Sequence, residues 1–464
     1  MLIGLGTLRE RIHGVVLNKG EQGHEIDGLV SKLESLPESY DAMLEFANSL
    51  SDLPIRSDWK YVEPNGINDI WDESKPDRNT GAISPVDIND SAKRVESAFL
   101  GSVAGCMLGK PLEAMLTGDE IRSALEAMGD WPMDEYVSNK VKEYVPRVHR
   151  SFHETAREFI DYVAPDDDIN YTIMGMLILE EFGPDFTHDN VQDLWLKHLN
   201  FHTTFGPERT TLLRSGMESL DRFTLASFLE KGGVGRRDHG QQTPGHLKMF
   251  HNFLNPGDEL CGAAIRADAY GYACPGRPQD AANMAWRDAS FTHNRTGIYG
   301  TMFIAAAIAA AQVVSDRMEI IDIALQYVPQ KSRFHERVSA CLDVIKDSDS
   351  WEEGYERIND KYGEYGHCRV YLESGMLINT LKFAENVGHG ICIQVSQGAD
   401  TDSYGATAGS LLGAYFGPGY LEERWLEPFN DDIHSGMAWF FERSLSNLAV
   451  RMGELPGKIT PQLA

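Results

Sequence analysis

Two short acidic segments of the sequence each stand directly before a stretch with helical character. Asp166, Asp167 and Asp168 are consecutive, and Asp400 and Asp402 are separated by one residue. One aspartate at a helix start is explained by N-capping and by the helix dipole. Adjacent carboxylates repel one another, however, and a hard divalent cation such as Mg²⁺ or Mn²⁺ relieves that repulsion. The pattern therefore indicates a metal site, and helix capping is the alternative explanation.

Glycine recurs every fourth residue in two segments of the chain. Glycine costs about 1 kcal/mol in a helix relative to alanine, so a row of glycines on one helix face suggests that another backbone approaches closely. Tight helix–helix packing alone would account for both rows. The stronger hypothesis is that the two helices meet at the centre of the protein and place their ends around a site. The positions are Gly101, Gly105 and Gly109 in the first row and Gly405, Gly409, Gly413 and Gly417 in the second.

Apolar residues at helical spacing predict how the chain is organised. From residue 91 onward helical segments follow one another, and no group of neighbouring segments alternates between apolar and polar residues as strands do. We therefore predict an all-α fold with one large helical domain over residues 91–464. Residues 1–50 are interpreted as an accessory helical segment. Residues 51–90, rich in Pro, Asn, Asp, Ser and Gly, are interpreted as a linker or surface loop.

One uncharged stretch, residues 296–315, approaches the length of a membrane span. Its centre is mostly alanine, which contributes little to membrane insertion. A helix that is apolar on all sides can also form the middle of a large core. We therefore expect a central core helix here.

The composition excludes several classes of protein. Lys and Arg total 42 and Asp and Glu total 70, so the net charge is 42 − 70 = −28, which argues against a nucleic-acid or anionic membrane surface as a partner. The six cysteines include no CxxC pair, and the first residues lack the basic and apolar regions of a signal peptide. These features predict a cytoplasmic protein with free thiols.

Five short motifs occur along the chain. The first, GSVAGCMLGKPLE, runs from Gly101 to Glu113, and the second is the run of three aspartates with Thr172 after it. GAAIR at 262–266 and SFTH at 290–293 come next, and GADTDS at 398–403 is the last. This succession resembles the ADP-ribosylglycohydrolase family, whose corresponding motifs include GxxxGDxxGxPxE, TDDT and GGDTDT. The resemblance covers roughly residues 92–440.

The resemblance implies an orthogonal multi-helix bundle of the ADP-ribosylglycohydrolase type with an N-terminal helical extension. It also implies a centre of two Mg²⁺ or Mn²⁺ ions, with Glu113 and Asp167 as catalytic residues. The metal ligands that it implies are Asp166, Asp167, Asp168, Asp400, Asp402 and Ser403. The substrate-binding residues that it implies are Gly262, His293, Asn294 and Tyr404.

The sequence departs from the family pattern within several of these motifs. Cys106 stands on an aspartate of the first motif, and Asp166 and Ile169 stand on threonines of the second. Ser403 replaces the last threonine of the third motif, and Tyr404 is bulky where a small or polar residue is usual. An added acid favours cation binding, and serine still offers a hydroxyl ligand. The departures therefore bear on the substrate more than on the metal site.

The implied activity is metal-dependent hydrolysis of the glycosidic bond at the ribose C1 of an ADP-ribosyl or related ribosyl conjugate. The expected partner is then an ADP-ribosylated protein or a small ribosyl substrate. Two alternatives stay open. One is a hydrolase of free nucleosides or other small ribosyl compounds, and the other is a non-catalytic ADP-ribose-binding protein on the same fold.

Overall fold

The computed structural model describes residues 4–220, 254–365 and 367–463. The described residues are mostly helical and contain isolated β-bridges but no strand, so the predicted all-α fold is confirmed. The first α-helices of the described residues are α1 (Leu5–Glu21), α2 (Leu29–Glu34), α3 (Tyr40–Ser49), α4 (Ile67–Glu73), α5 (Ile88–Gly109), α6 (Gly118–Met128), α7 (Phe152–Thr155), α8 (Asp167–Phe182), α9 (His188–His198) and α10 (Gly206–Leu220). The helices after residue 254 are α11 (Asp268–Tyr272), α12 (Pro278–Ala289), α13 (Thr296–Ala311), α14 (Arg317–Ala324), α15 (Arg333–Lys346), α16 (Trp351–Tyr362), α17 (Val370–Phe383), α18 (Val387–Ser396), α19 (Thr401–Phe416), α20 (Leu445–Gly453) and α21 (Leu455–Ile459).

The two glycine rows pack against each other, which brings the backbones of α5 and α19 into direct contact. The helices run antiparallel, because Gly101 faces Gly409 and Gly105 faces Gly405. A methyl group on Gly101 would lie 2.5 Å from the Gly409 carbonyl oxygen, so even alanine does not fit there. The C-terminal end of α5 consequently lies beside the N-terminal end of α19. The predicted meeting of the two glycine helices is confirmed.

The alanine-rich helix α13 lies in the middle of the core, as expected. All of its residues are buried, and it packs against α11, α12, α14 and α19. Small side chains allow these neighbours to approach from several sides at once. Among the described helices, none combines the length and the apolar character needed to cross a membrane.

Helices α1, α2 and α3 enclose a small apolar cluster of their own, which includes Ile12 and Phe46. Polar contacts join this cluster to the rest of the chain; for example, Gln22 Nε2 donates to Asp258 Oδ1 at 3.3 Å. Amphipathic helices of this length need such packing, because they are marginal in isolation. The boundary at residue 50 stays a prediction.

Residues 51–90 lie against the main core and include the short helix α4. Ile70 of α4 is fully buried in that core. Tyr299 of α13 donates its hydroxyl hydrogen to the Pro64 carbonyl at 2.5 Å, and Trp286 Nε1 donates to the Asn65 carbonyl at 2.9 Å. The segment is therefore attached to the large helical body at several points.

The glycine contact predicts a steep cost for the smallest possible side chain. Gly105→Ala places a methyl group against the Gly405 backbone, which is less able to move than a side chain. Overpacking costs about 1–3 kcal/mol where neighbours can adjust, so we expect a loss of unfolding free energy of about 3 kcal/mol or more. Urea unfolding measures it. The matched control is Gly6→Ala in α1, where no atom lies near the new methyl group and stability should stay equal or rise.

The buried carboxyl group of Asp268 predicts that the stability of the fold depends on pH. It is buried beside Ser102 of α5, whose hydroxyl donates to Asp268 Oδ2 at 3.4 Å, and burial raises the pKa of Asp268 to about 7. The pKa of Asp268 is higher in the folded than in the unfolded chain. Its contribution to the unfolding free energy is therefore most favourable below about pH 4 and is lost as the pH rises through 7. The difference in unfolding free energy between Asp268→Asn and the wild type should therefore shift in favour of the variant, by up to about 4 kcal/mol, when the pH is raised from 4 to 8. Urea unfolding at both pH values tests this, and a constant difference would contradict it.

Candidate active site

The end of α5 and the start of α19 are held together at the point where acidic residues lie. Thr401 Oγ1 donates to the Gly109 carbonyl at 2.9 Å. After Gly109 the chain makes a short 3-10 turn that leads to Glu113. Carboxylate oxygens of Glu113, Asp400 and Asp402 consequently lie within 4.8 Å of one another. Thr401 and Gly109, which are 292 positions apart in the sequence, thus belong to one site.

Helix α8 begins at the same place and brings the second acidic segment. Asp166 caps α8, since the Asp168 amide donates to Asp166 Oδ1 at 2.9 Å. Ser403 of α19 donates its hydroxyl hydrogen to Asp168 Oδ2 at 3.4 Å. Asp400 takes the N-cap position of α19 without making a capping bond. Capping therefore explains one oxygen of Asp166, but it does not explain Asp168 or Asp400.

A buried lysine lies among these carboxylates. Lys110 Nζ is 2.6 Å from Asp166 Oδ2, 2.5 Å from Asp402 Oδ2 and 2.8 Å from Glu113 Oε2. Burial acts to lower the pKa of Lys110, but the charges of Asp166 and Asp402 outweigh it and hold the pKa well above its ordinary value. The sequence analysis did not assign Lys110 a role. The available signal was a cationic residue between Gly109 and a proline, inside the first motif.

The carboxylates retain oxygens that fit a divalent cation. Asp168 Oδ1 and Asp402 Oδ1 are buried, and neither accepts a hydrogen bond from the described residues. Buried carboxylate oxygens without donors are costly unless a cation or a proton satisfies them. Hard oxygen donors of this kind suit Mg²⁺ and Mn²⁺. The residues present therefore fit such an ion.

Burial and mutual repulsion shift the proton affinities of the cluster. Burial, followed by the charges of neighbouring carboxylates, raises the pKa of most of its acids. The aspartates affected in this way are Asp167, Asp168 and Asp400. The same two causes raise the pKa of Glu113 to about 9. Asp402 differs: burial acts to raise its pKa, but the Lys110 charge and hydrogen bonds with Lys110, Asp400 and Glu113 together lower the pKa of Asp402.

A cavity of about 500 Å³ opens beside the cluster. The predicted site residues that line it are Glu113, Asp167, Gly262, Asp400, Asp402 and Ser403. Asp166 and Asp168 are buried and do not line this cavity. Further side chains that line it, to which the sequence analysis assigned no role, include His149, Arg150, Phe205, Glu208, Cys261, His367 and Cys368.

Two thiols hold Asp400 from the other side. Cys261 Sγ lies 3.2 Å and Cys368 Sγ 3.5 Å from Asp400 Oδ2, and both thiols donate to it. The Cys261 amide donates to the Cys368 carbonyl at 3.1 Å, and the Cys368 amide donates to Glu373 Oε1 at 2.8 Å. These contacts join two loops that lie far apart in the sequence. No spacing rule for cysteines would have identified this pair.

Two of the predicted substrate-binding residues lie around Glu208. Gly262 lines the cavity, and a methyl group at this position would lie 2.9 Å from the Glu208 carboxylate. His293 is buried, with Nδ1 2.7 Å from Thr292 Oγ1 and 3.5 Å from Glu208 Oε1. His293 therefore neighbours a cavity residue but does not itself line the cavity. The roles of both residues stay a prediction.

The other two predicted substrate-binding residues do not line the cavity. Asn294 Nδ2 donates to Asp258 Oδ2 at 2.9 Å, toward the N-terminal helices. Tyr404 is buried in α19, where burial and then the charge of Glu373 raise the pKa of its phenol well above the ordinary value. Tyr404 nevertheless lies next to the acidic cluster, since its amide donates to the Asp400 carbonyl at 3.1 Å. Substrate contact by these two residues stays a prediction.

Arg266 fixes Glu208 in the cavity wall. Arg266 Nη1 lies 2.5 Å from Glu208 Oε1, and its Nε lies 2.5 Å from Asp288 Oδ1. Nη2 donates to Thr292 Oγ1 at 2.8 Å, and the guanidinium stacks on the Trp195 ring at 5.2 Å. All of these side chains are buried. The motif GAAIR identified the arginine, but it could not reveal partners that come from other helices.

Arg266→Met is expected to destabilise the fold, because it leaves two buried carboxylates without a cation. Removing one partner of a buried pair costs about 3–5 kcal/mol, so we expect a loss of that size in urea unfolding. Arg122→Met is the matched control, since Arg122 pairs with Glu126 at the surface, where both side chains are about half exposed. Its loss should be much smaller, because solvent screens an exposed ion pair. Equal losses for the two variants would contradict the role of Arg266.

Comparisons with known proteins point to one family. The family model described as ADP-ribosylglycohydrolase matches residues 87–453, which include every predicted metal ligand. A solved structure described as an "ADP-ribosylglycohydrolase-related protein complex" is similar at a TM-score of 0.48 and 16 % identity, covering 79 % of this chain and 99 % of that chain. No curated protein matches this chain in sequence.

Proposed function

The chain belongs to the ADP-ribosylglycohydrolase family and is a hydrolase of that type, and from this premise we propose that it cleaves the glycosidic bond at the ribose C1 of an ADP-ribosyl or related ribosyl conjugate. One observation carries the proposal. The ends of α5, α8 and α19 gather six carboxylates in one cluster, and four of them line a cavity that is large enough for a nucleotide-sized ligand. The six are Glu113, Asp166, Asp167, Asp168, Asp400 and Asp402.

The proposed cofactor is Mg²⁺ or Mn²⁺, with two ions expected from the family resemblance. The residues that would hold it are Asp166, Asp167, Asp168, Asp400, Asp402 and Ser403. When bound, such a cation supplies positive charge for ribose hydroxyls and for the oxygen of the attacking water. Unpartnered buried oxygens on Asp168 and Asp402 support this part of the proposal.

Glu113 is the carboxyl group we assign to proton handling. Its side chain keeps 27 % of its surface exposed at the cavity, and its Oε2 lies 3.3 Å from His149 Nε2. Burial and the Lys110 charge lower the pKa of His149 to about 4, so its imidazole is neutral near pH 7. A carboxyl group beside a neutral imidazole can take up or deliver a proton at the reacting centre. Asp167, which also lines the cavity, is the second acid we assign to catalysis.

Two further residues of the cavity lining suit the nucleotide part of such a substrate. Phe205 is 42 % exposed there and offers an aromatic face. Arg150 also lines the cavity, with its guanidinium 5.5 Å from the centre of the Phe205 ring. Aromatic faces stack on bases, and guanidinium groups bind phosphates. A ligand with its ribose at the carboxylates and its base at Phe205 would contact both sets of residues.

The proposal predicts that Asp400→Ala and Asp167→Ala abolish metal-dependent turnover while the helical fold is kept. Mutating a residue that only hydrogen-bonds a metal ligand typically lowers metal affinity or activity about 10–100-fold. We therefore expect the loss of a ligand itself to lower turnover at least about 100-fold. The assay is release of ADP-ribose from ADP-ribosylated arginine or serine, with Mg²⁺ or Mn²⁺ added. Asp360→Ala, an exposed position on α16, is the control and should keep full activity.

The same assay distinguishes the alternatives. Turnover of free nucleosides but not of conjugates would replace the proposed substrate with a small ribosyl compound. Calorimetry that shows ADP-ribose binding without turnover of any ribosyl substrate would favour a binding protein. Full activity of the two aspartate variants would contradict the assigned metal site.

A further inference from the structure

We infer that the Lys110 ammonium occupies one of the two cation positions expected of this site, so that the chain holds a single divalent ion beside a built-in cation. This inference rests on the metal dependence proposed above. It concerns a residue of this chain that no family motif assigns. Its basis is the position of one nitrogen atom among the carboxylates.

The ammonium contacts the oxygens that a metal ion would need. Asp166 and Asp402 are expected metal ligands that come from two different helices, and Lys110 Nζ lies 2.6 Å and 2.5 Å from one oxygen of each. A Mg²⁺ or Mn²⁺ ion that Asp166 and Asp402 held through the same two oxygens would need contacts even shorter than these. Ion and ammonium would then occupy the same space and repel each other. Only one of the two can bridge Asp166 and Asp402 in this way.

Burial makes the ammonium a lasting part of the site. The Lys110 side chain is 8 % exposed, and its third carboxylate contact is Glu113 at 2.8 Å. Lysine is almost never buried at this level unless it is paired. Here Lys110 Nζ donates hydrogen bonds to Glu113 and Asp402 and forms an ion pair with Asp166. To vacate this position, the side chain would have to leave all three partners together. A metal ion from solution would therefore have to displace the Lys110 ammonium, which is covalently attached to the chain.

Enough ligands remain for a single ion at the cavity. Asp167, Asp400 and Ser403 line the cavity, and none of the salt bridges of Lys110 in the described part of the chain reaches them. Asp168 Oδ1 and Asp402 Oδ1 are still without hydrogen-bond partners among the described residues. Carboxylate, hydroxyl and water oxygens suffice for a Mg²⁺ or Mn²⁺ ion. The substrate side of the cluster can thus keep its ion while Lys110 fills the buried side.

The test is to count Mn²⁺ ions by calorimetry and electron paramagnetic resonance. The full chain is stripped with a chelator and titrated with Mn²⁺. We expect one ion per wild-type chain, with the six-line spectrum of an isolated Mn²⁺. Lys110→Met should bind two ions, whose spectrum is altered by coupling because paired sites lie about 3.5–4 Å apart. Lys110→Arg keeps the positive charge and should bind one.

The matched control is Lys142→Met, which removes the charge of an exposed lysine and should bind one ion as the wild type does. Two ions in the wild-type chain would overturn the inference and leave the proposed function intact, whether or not Lys110→Met folds. One ion in both the wild type and a folded Lys110→Met would also overturn it. Absence of Mn²⁺ binding from the wild type and from Lys110→Met would overturn the proposed metal dependence and this inference with it.

Discussion

The contact between the glycine faces of α5 and α19 determines where every other part of the site lies. Ordinary helix pairs keep their axes 8–10 Å apart, and side chains fill the space between them. Here Gly105 and Gly405 remove those side chains, and the two backbones touch. The last residues of α5 and the first residues of α19 therefore come within hydrogen-bond distance, as Thr401 and Gly109 show. Carboxylates on the two ends can share a cation only because of this approach.

That approach places negative charges close together, and other groups of the site must offset their repulsion. Six carboxylates gather in a chain that already carries a net charge of −28, and most of them are buried. Buried like charges are unfavourable unless cations, protons or hydrogen bonds offset them. Lys110 supplies one positive charge, and the thiols of Cys261 and Cys368 donate to Asp400. The oxygens still without donors on Asp168 and Asp402 are where a divalent ion would act.

The sequence allowed the main elements to be predicted, because those signals are local. Each signal can be recognised within about twenty residues of sequence: the consecutive aspartates at the start of α8, the glycines at helical spacing in α5 and α19, and the uncharged alanine-rich run. Contacts between distant elements left no such trace. Nothing near Lys110 in the sequence indicates that Asp166 and Asp402 surround its ammonium.

Contacts between distant elements also explain why some residues assigned to substrate binding do not line the cavity. The SFTH turn and its neighbour Asn294 were placed at the substrate by resemblance alone. In the fold, His293 packs behind Glu208, and Asn294 binds Asp258 near the N-terminal helices. A motif identifies a segment, whereas the direction of each side chain depends on what packs against it.

The cavity lining combines groups of opposite charge, which constrains how an anionic ligand would bind. The carboxylates of the cluster line it together with Arg150 and the exposed ring of Phe205. Phosphate groups would be repelled by the acids, so they would remain near Arg150, and neutral ribose hydroxyls would turn inward. The overall negative charge of the chain opposes such a ligand at long range. Positive charge held among the carboxylates thus has two consequences: it lets the acids stay close together, and it weakens the repulsion that a phosphate-bearing substrate meets on entry.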